Sequence, residues 1–192
     1  MIALETLVAR GPMLASRPMV QTVRMITNAR DTALIDAVTM RENGQVEQAC
    51  EQLALLVERY PGDAEIAYQA AWAHDVVGRE REAVPFYEWA LIGDGLTDAD
   101  RRGAFVGLGS TYRSLGAHDK AAATLRRGLG EYPADPGLTT FLAMALYNAG
   151  EAKEAVESLL RVVAATAEHP GVRPYRRAIE LYAADLDAVH GI

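Results

Sequence analysis

The residues able to do chemistry are few, and their spacing keeps them apart. His74 precedes Asp75 and His118 precedes Asp119. On a helix each pair diverges by about 100°, so its members cannot cooperate directly. His74 falls at a buried repeat position and reads as a core histidine, while His169 and His190 lie near helix ends, where a cation suits the dipole. Glu151 and Glu154 precede Ala155 at a helix start, which is ordinary capping electrostatics. Cys50 is the only cysteine, so neither an intrachain disulfide nor a four-cysteine zinc site can form. It follows Ala49 in a periodic helix and reads as a small buried hydrophobe. No Walker loop, dinucleotide fingerprint or zinc spacing is present. The expectation is a chain with no catalytic residues, metal or cofactor; catalysis is the remote alternative, and turnover abolished by His74→Ala would establish it.

Glycines mark the elements that must position these residues. Gly44, Gly78, Gly116 and Gly150 recur, and five residues after each comes Ala49, Ala83, Ala121 or Ala155. Four residues further on stand Leu53, Tyr87, Leu125 and Leu159. Such a period means stacked helical hairpins. Small residues pair across each hairpin (Ala37/Ala49, Ala71/Ala83, Gly109/Ala121, Ala143/Ala155), letting the helices approach, and the large apolar residues then fill the space between hairpins. The pattern predicts helices near 31–42, 45–59, 64–77, 80–92, 98–115, 118–130, 135–149, 152–167 and 172–189. Tyr60-Pro61-Gly62-Asp63 and Tyr132-Pro133-Ala134-Asp135 stop one helix and cap the next, and Thr97 with Asp100 makes a capping box. Gly93-Asp94-Gly95-Leu96 reads as a loop enlarged by four residues. Pro85 should distort its helix locally.

Some positions depart from the pattern. Asp36 and Ala70 stand where Leu108 and Leu142 sit later, and Gly95 stands where Pro61 and Pro133 do, so the first two repeats should be the looser pair. In the last helix Val172, Tyr175, Ile179 and Tyr182 form an inward face and Arg176, Arg177, Glu180 and Asp185 face water. The domain layout is an arm over 1–30 and a repeat domain over 31–192. Its repeats fall near 30–63, 64–97, 98–134 and 135–169, with a capping helix over 172–189.

The third hairpin runs Phe105-x-x-Leu108-Gly109-x-x-Tyr112, then Gly116, Ala121-x-x-x-Leu125 and Pro133. This resembles the tetratricopeptide repeat. Residues 68–75, 101–113, 141–148 and 175–187 are similar to the bacterial group 5 members of that family, and the likeness covers about 32–188. It implies an all-α, right-handed superhelical solenoid and a small bacterial interaction module with no assigned reaction. In such arrays the first helix of each hairpin lines the concave side. Positions 2, 5, 9, 12 and 13 share one helical face. Here that face includes Glu65, Tyr68, Trp72 and Asp75, then Val106, Ser110 and Arg113, then Thr140, Met144, Tyr147 and Asn148, with Tyr175 and Tyr182 beyond. Tyr and Trp give large contact areas at low entropy cost, and Arg113 and Asn148 can bond a peptide backbone or a carboxylate. The opposing reading is that Trp72 and the tyrosines merely pack between repeats. The family's chaperone-tail clamp uses Lys and Asn where this chain has Leu34 and Val38, so that ligand is not expected.

The net charge of −7 argues against general nucleic-acid binding, and the pairs Arg101-Arg102, Arg126-Arg127 and Arg176-Arg177 read as solvated surface. No apolar run is long enough to span a membrane. The single cysteine fits a reducing compartment, and a cytoplasmic setting is expected. The basic segment 1–30 carries four arginines against Glu5. It reads either as a poorly ordered arm (or translation from ahead of a later start such as Met25) or as an arm docking on the acidic body or an anionic surface. The expected partner is a protein or peptide; self-association through the uncapped first hairpin, giving a homodimer, is the alternative.

Overall fold

A helix can reverse within two or three residues only where one of them adopts a left-handed backbone, which glycine does without steric cost. The computed structural model describes residues 29–188. In it Gly44, Gly78, Gly116 and Gly150 have φ of 81°, 74°, 77° and 90°. The bonding at each is the Schellman pattern: Gly116 N donates to the Arg113 carbonyl at 3.0 Å, and Ala117 N to that of Tyr112 at 2.9 Å. Four hairpins result: α1 (Ala29–Glu42) with α2 (Val46–Arg59), α3 (Ala64–Val76) with α4 (Glu80–Ile92), α5 (Asp98–Ser114) with α6 (His118–Glu131), and α7 (Pro136–Asn148) with α8 (Ala152–Thr166). A single 3-10 turn, Arg173–Tyr175, leads into α9 (Arg176–Tyr182). No strand occurs among the described residues. The arm expected over 1–30 lies outside them apart from its last two residues, which belong to α1.

Between hairpins the chain is capped by side chains. Asp63, Thr97 and Asp135 accept hydrogen bonds from the backbone N–H of Ile66, Asp100 and Leu138. Gly93–Leu96 are non-helical as expected, but the connection 93–97 is only one residue longer than 60–63 or 132–135, so the extra residues of the third repeat do not enlarge the loop by four. They lengthen a helix: α5 has 17 residues against 13 in both α3 and α7. The cause is the Thr97 cap, whose hydroxyl also donates to Asp100 at 2.7 Å and starts the helix a turn early. Pro85 sits inside α4 without ending it.

The paired small residues are buried as the close approach requires. Ala49, Ala71, Ala83 and Ala121 have no accessible surface, and the room left by Gly109 is taken by Leu125. Leu53, Tyr87 and Leu125 fill the gaps between hairpins, but Leu159 is 40% exposed because no fifth hairpin covers it. The looseness expected of both early repeats holds only for the first. In α1 just Leu34, Ala37 and Arg41 are buried and Asp36 faces solvent, whereas α3 buries eight residues, five of them alanines. The first helices of successive hairpins touch one another, α1 with α3, α3 with α5 and α5 with α7. The second helices have no comparable mutual contact. That asymmetry puts the first helices on the inner row and leaves gaps between the second helices.

The expected capping helix is shorter and turned. Pro174 lacks an N–H and disfavours helix in the residue before it, which reduces the start to a 3-10 turn. Beyond Tyr182, Lys153 draws Asp185 and Asp187 to 3.2 and 2.6 Å. The docked residues are Val172, Ile179 and above all the fully buried Ala183, while Tyr175 and Tyr182 are 63% and 54% exposed. Arg177, Glu180 and Asp185 face solvent as expected, but Arg176 folds back onto the Ala167 carbonyl and Glu168.

Close approach gives a direct test. A Cβ on Gly109 would lie 2.5 Å from Leu125 Cγ, whereas one on Gly130, also helical, would meet nothing within 4 Å. Gly109→Ala should cost roughly 1–3 kcal/mol through overpacking. Gly130→Ala should stabilise by roughly 0.5–1 kcal/mol through helix propensity. Urea denaturation midpoints check both signs.

Candidate functional site

The inner row divides into a half whose polar groups are used internally and a half where they are not. In the first half Glu65 forms an ion pair with Arg30 at 2.7 Å. Arg30 also bonds Asp63 through two nitrogens, at 2.9 and 2.7 Å, so it ties the first hairpin to the second. Those bonds, to Asp63 first, raise the Arg30 pKa further. Tyr68 is buried, its ring against Trp72 and Tyr87 and its hydroxyl over Gly103, where any side chain would collide. Trp72 keeps 38% of its surface, but Arg41 covers one face, its guanidinium carbon 3.9 Å from the ring centroid. Arg41 is held there by a 2.6 Å bond to Gln69.

Asp75 is the electrostatic centre of this half. Its Oδ1 lies 3.0 Å from Thr111 Oγ1 and its Oδ2 3.3 Å from Tyr87 Oη. Burial pushes its carboxyl up to about 6, against the opposing effect of those two hydroxyls. The Thr111 hydroxyl also lies 2.8 Å from the Gly107 carbonyl. One hydroxyl proton cannot serve both acceptors, so a protonated Asp75 completes the network by donating to Thr111 while Thr111 donates to Gly107. This joins α3, α4 and α5. His74 turns elsewhere: its Nδ1–H donates to the Ala70 carbonyl at 2.7 Å and its ring packs on Phe86. His74 and Asp75 therefore do not interact, in keeping with their spacing.

In the second half the side chains remain available. Ser110 is buried, but Arg113, Met144, Tyr147 and Asn148 line one concavity of about 290 Å³ with Val156 and Leu159. Met144 and Tyr147 are 40% and 67% exposed. Arg113 reaches across from α5, and its Nη1 makes a long 3.4 Å bond to Asn148 Oδ1. Its Nε is shielded from solvent and bonds nothing in the protein. Apolar walls with an undersatisfied guanidinium at the rim suit an apolar side chain flanked by a carboxylate or carbonyl. Tyr175 and Tyr182 do not line this concavity. Val156 and Leu159 were missed because each repeat was read as if another followed. The signal was available: the last hairpin's spacer has no successor to fill.

A second, larger concavity was not foreseen from the sequence. It lies between α2 and α4, outside the inner row, with a volume of about 550 Å³. Among the described residues no three His, Cys, Asp or Glu are grouped to hold a metal ion, and no helix is long and apolar enough to cross a membrane.

The molecule is thus an array of antiparallel helix hairpins stacked through small residues, with its open side chains on the inner row. A family model described as Tetratrico peptide repeat, in its group 5 form, matches residues 64–186, and a second, described as Tetratricopeptide repeat, matches 37–63. The chain belongs to the tetratricopeptide repeat family. Among solved structures, that of MamA protein is similar, with a TM-score of 0.64 at 20% identity, covering 86% of this chain and 80% of that one. YrrB, described as a TPR protein with an unusual peptide-binding site, gives 0.57 at 19%, covering 85% and 90%. A putative kinesin light chain of Podosopora anserina with nearly identical TPR-like repeats gives 0.57 at 23%, covering 81% and 89%. At these identities the likeness concerns the fold. A search of curated proteins found no match.

The Asp75 network predicts a pH dependence. The folded pKa lies above the value near 4 of an unfolded aspartate. The folded state therefore binds the extra proton, and stability falls as pH rises through about 6. Asp75→Asn keeps an acceptor for one hydroxyl and removes the buried charge. Its melting temperature should exceed the parent's by more at pH 8 than at pH 5, a difference on the order of 1 kcal/mol. Equal effects at both pH values would show that Asp75 is not the titrating group.

Proposed function

We propose that this chain is a non-catalytic protein-interaction scaffold that takes a peptide or protein segment on its inner row. Its principal grip is formed by Arg113, Met144, Tyr147 and Asn148. The observation that carries this reading is the concavity these four share, in which an arginine nitrogen is shielded yet unbonded beside exposed aromatic and thioether surface. The ligand chemistry that suits it is an apolar side chain next to an acidic one or to a chain-terminal carboxylate. Membership of a repeat family and the likeness to YrrB support a binding role. Glu65, Tyr68, Trp72, Asp75 and Ser110 then serve mainly to hold the row in shape, and Tyr175 and Tyr182 flank it. A buried single thiol at Cys50 and the acidic charge suit a reducing, cytoplasmic setting without nucleic-acid contact.

Self-association is a second reading, favoured by apolar surface at both ends of the array: Ile35 on α1 is 56% exposed, and Leu159, Val163 and Leu181 are 40%, 39% and 59% exposed. Light scattering over a wide concentration range separates the two, since an invariant monomer removes it.

The test of the grip is a displayed library of random peptides panned on the full chain. Selected peptides should carry an apolar–acidic pair or an apolar C-terminus, and should bind Arg113→Ala or Tyr147→Ala roughly tenfold or more weakly, a loss of about 1.4 kcal/mol or more. Helicity and melting temperature should stay close to the parent's. Peptides that bind the double variant as tightly as the parent would sink the assignment.

A further inference from the structure

The larger concavity, between α2 and α4, has no role in the binding site described above. Its walls carry Val57, Phe86, Trp89 and Ile92, and its charged residues are Glu58 and Asp63, with no cation among the lining residues. Trp89 is 52% and Ile92 81% exposed, a large apolar commitment to solvent. At about 550 Å³ it falls in the range of ligand pockets, roughly 300–1,000 Å³. The gap exists because second helices of neighbouring hairpins do not close on one another.

What lies at its rim identifies an occupant. Asp63 lines the cleft and is bonded twice by Arg30, in the first turn of α1. The start of α1 is therefore held beside the cleft. The ten residues immediately before Ala29 include Met19, Val20, Val23, Met25 and Ile26 as apolar side chains, with Arg24 as their one charge. Ten residues reach up to about 33 Å when extended, ample for a cleft whose edge holds the anchor. Glu58 forms no ion pair among the described residues and is opposite in charge to Arg24. A segment tethered this closely is present at an effective concentration in the millimolar range, which outcompetes a second copy at ordinary concentrations.

We propose that residues 19–28 fill the α2/α4 cleft of their own chain, placing Val23 and Ile26 against Trp89 and Ile92 and Arg24 near Glu58. The segment then covers apolar surface between the thinly packed first hairpin and the second, and leaves the inner row free. This does not depend on what the inner row binds.

The experiment uses the full chain with Cys50→Ala to remove the native thiol. Ile92→Cys is paired in turn with Val20→Cys, Val23→Cys and Ile26→Cys, and with Thr6→Cys as a distant control. Mild oxidation should give an intrachain disulfide, seen as a faster-migrating monomer, for at least one of the three near pairs and more slowly for the control. In parallel, with Trp72→Phe leaving Trp89 as sole tryptophan, the pair Val23→Asp and Ile26→Asp should shift emission to the red and raise quenching by acrylamide. Only interchain dimers would assign the cleft to a second copy and overturn the proposal. Absence of any near cross-link, or cross-linking without a change in Trp89 emission, overturns it equally.

Discussion

The closest approach between the two helices of each hairpin governs the rest of this structure. Where Ala71 meets Ala83, or Gly109 meets Ala121, neither helix presents more than a methyl group, so the axes close until backbone packing stops them. That closeness forces a three-residue reversal, and the reversal requires a left-handed residue, which is why a glycine with φ near 80° stands at each turn. It also forces bulk away from the contact. Tyr87 goes against the next hairpin, where its ring takes the space beside Gly107, while Leu125 takes the space left by Gly109 in its own hairpin. Each hairpin is therefore unfinished alone and is completed by its neighbour.

Completion by a neighbour explains where the molecule is rigid and where it is open. In the middle, Tyr68, Tyr87, Asp75 and Thr111 link the second hairpin to the third, so polar groups on the inner row are consumed by the stack. At the far end the last hairpin has the same apolar spacer but no neighbour. α9 covers part of α8 through Ile179 and Ala183, stapled by Arg161 to the Ala183 carbonyl at 3.1 Å, and stops short of Val156 and Leu159. The open concavity beside Arg113 is thus the unfilled slot of a repeating design.

Most of the architecture was legible because the signals were local and repeated. Turn glycines, capping aspartates and the alanine pairs act within a few residues, and the first eight helices fall within two residues of their expected bounds. The misread features each depended on something nonlocal or on competition between signals. The extra residues of the third repeat read as added loop because Gly93 and Gly95 dominated. The stretch before Asp98 is indeed non-helical and α5 starts at its Thr97 cap as the capping box predicts, but the added length lies within α5. Tyr175 and Tyr182 read as inward on a helical wheel that Pro174 prevented from forming. The expected inner-row residues of the hairpins lie on α3, α5 and α7, but spacing could not distinguish Tyr68, absorbed into the core, from Tyr147, left exposed. That difference lies in Gly103, which makes room for one tyrosine, and in the open concavity that the other lines.

The two concavities have opposite chemistry, and the solenoid geometry accounts for both. Inner helices touch their successors, so a cavity on that side can open only at an end, and it opens where Arg113 supplies a cation. Outer helices stand apart, so a cavity on that side can open in mid-array. It opens between α2 and α4, where the walls are apolar and the charges are Glu58 and Asp63. A ligand carrying an anion beside an apolar group fits the first and is repelled by the second; a cationic apolar segment has the reverse preference. Both sites can therefore be filled at once without competing, and only the α2/α4 cleft has the chain's own arginine anchored at its edge.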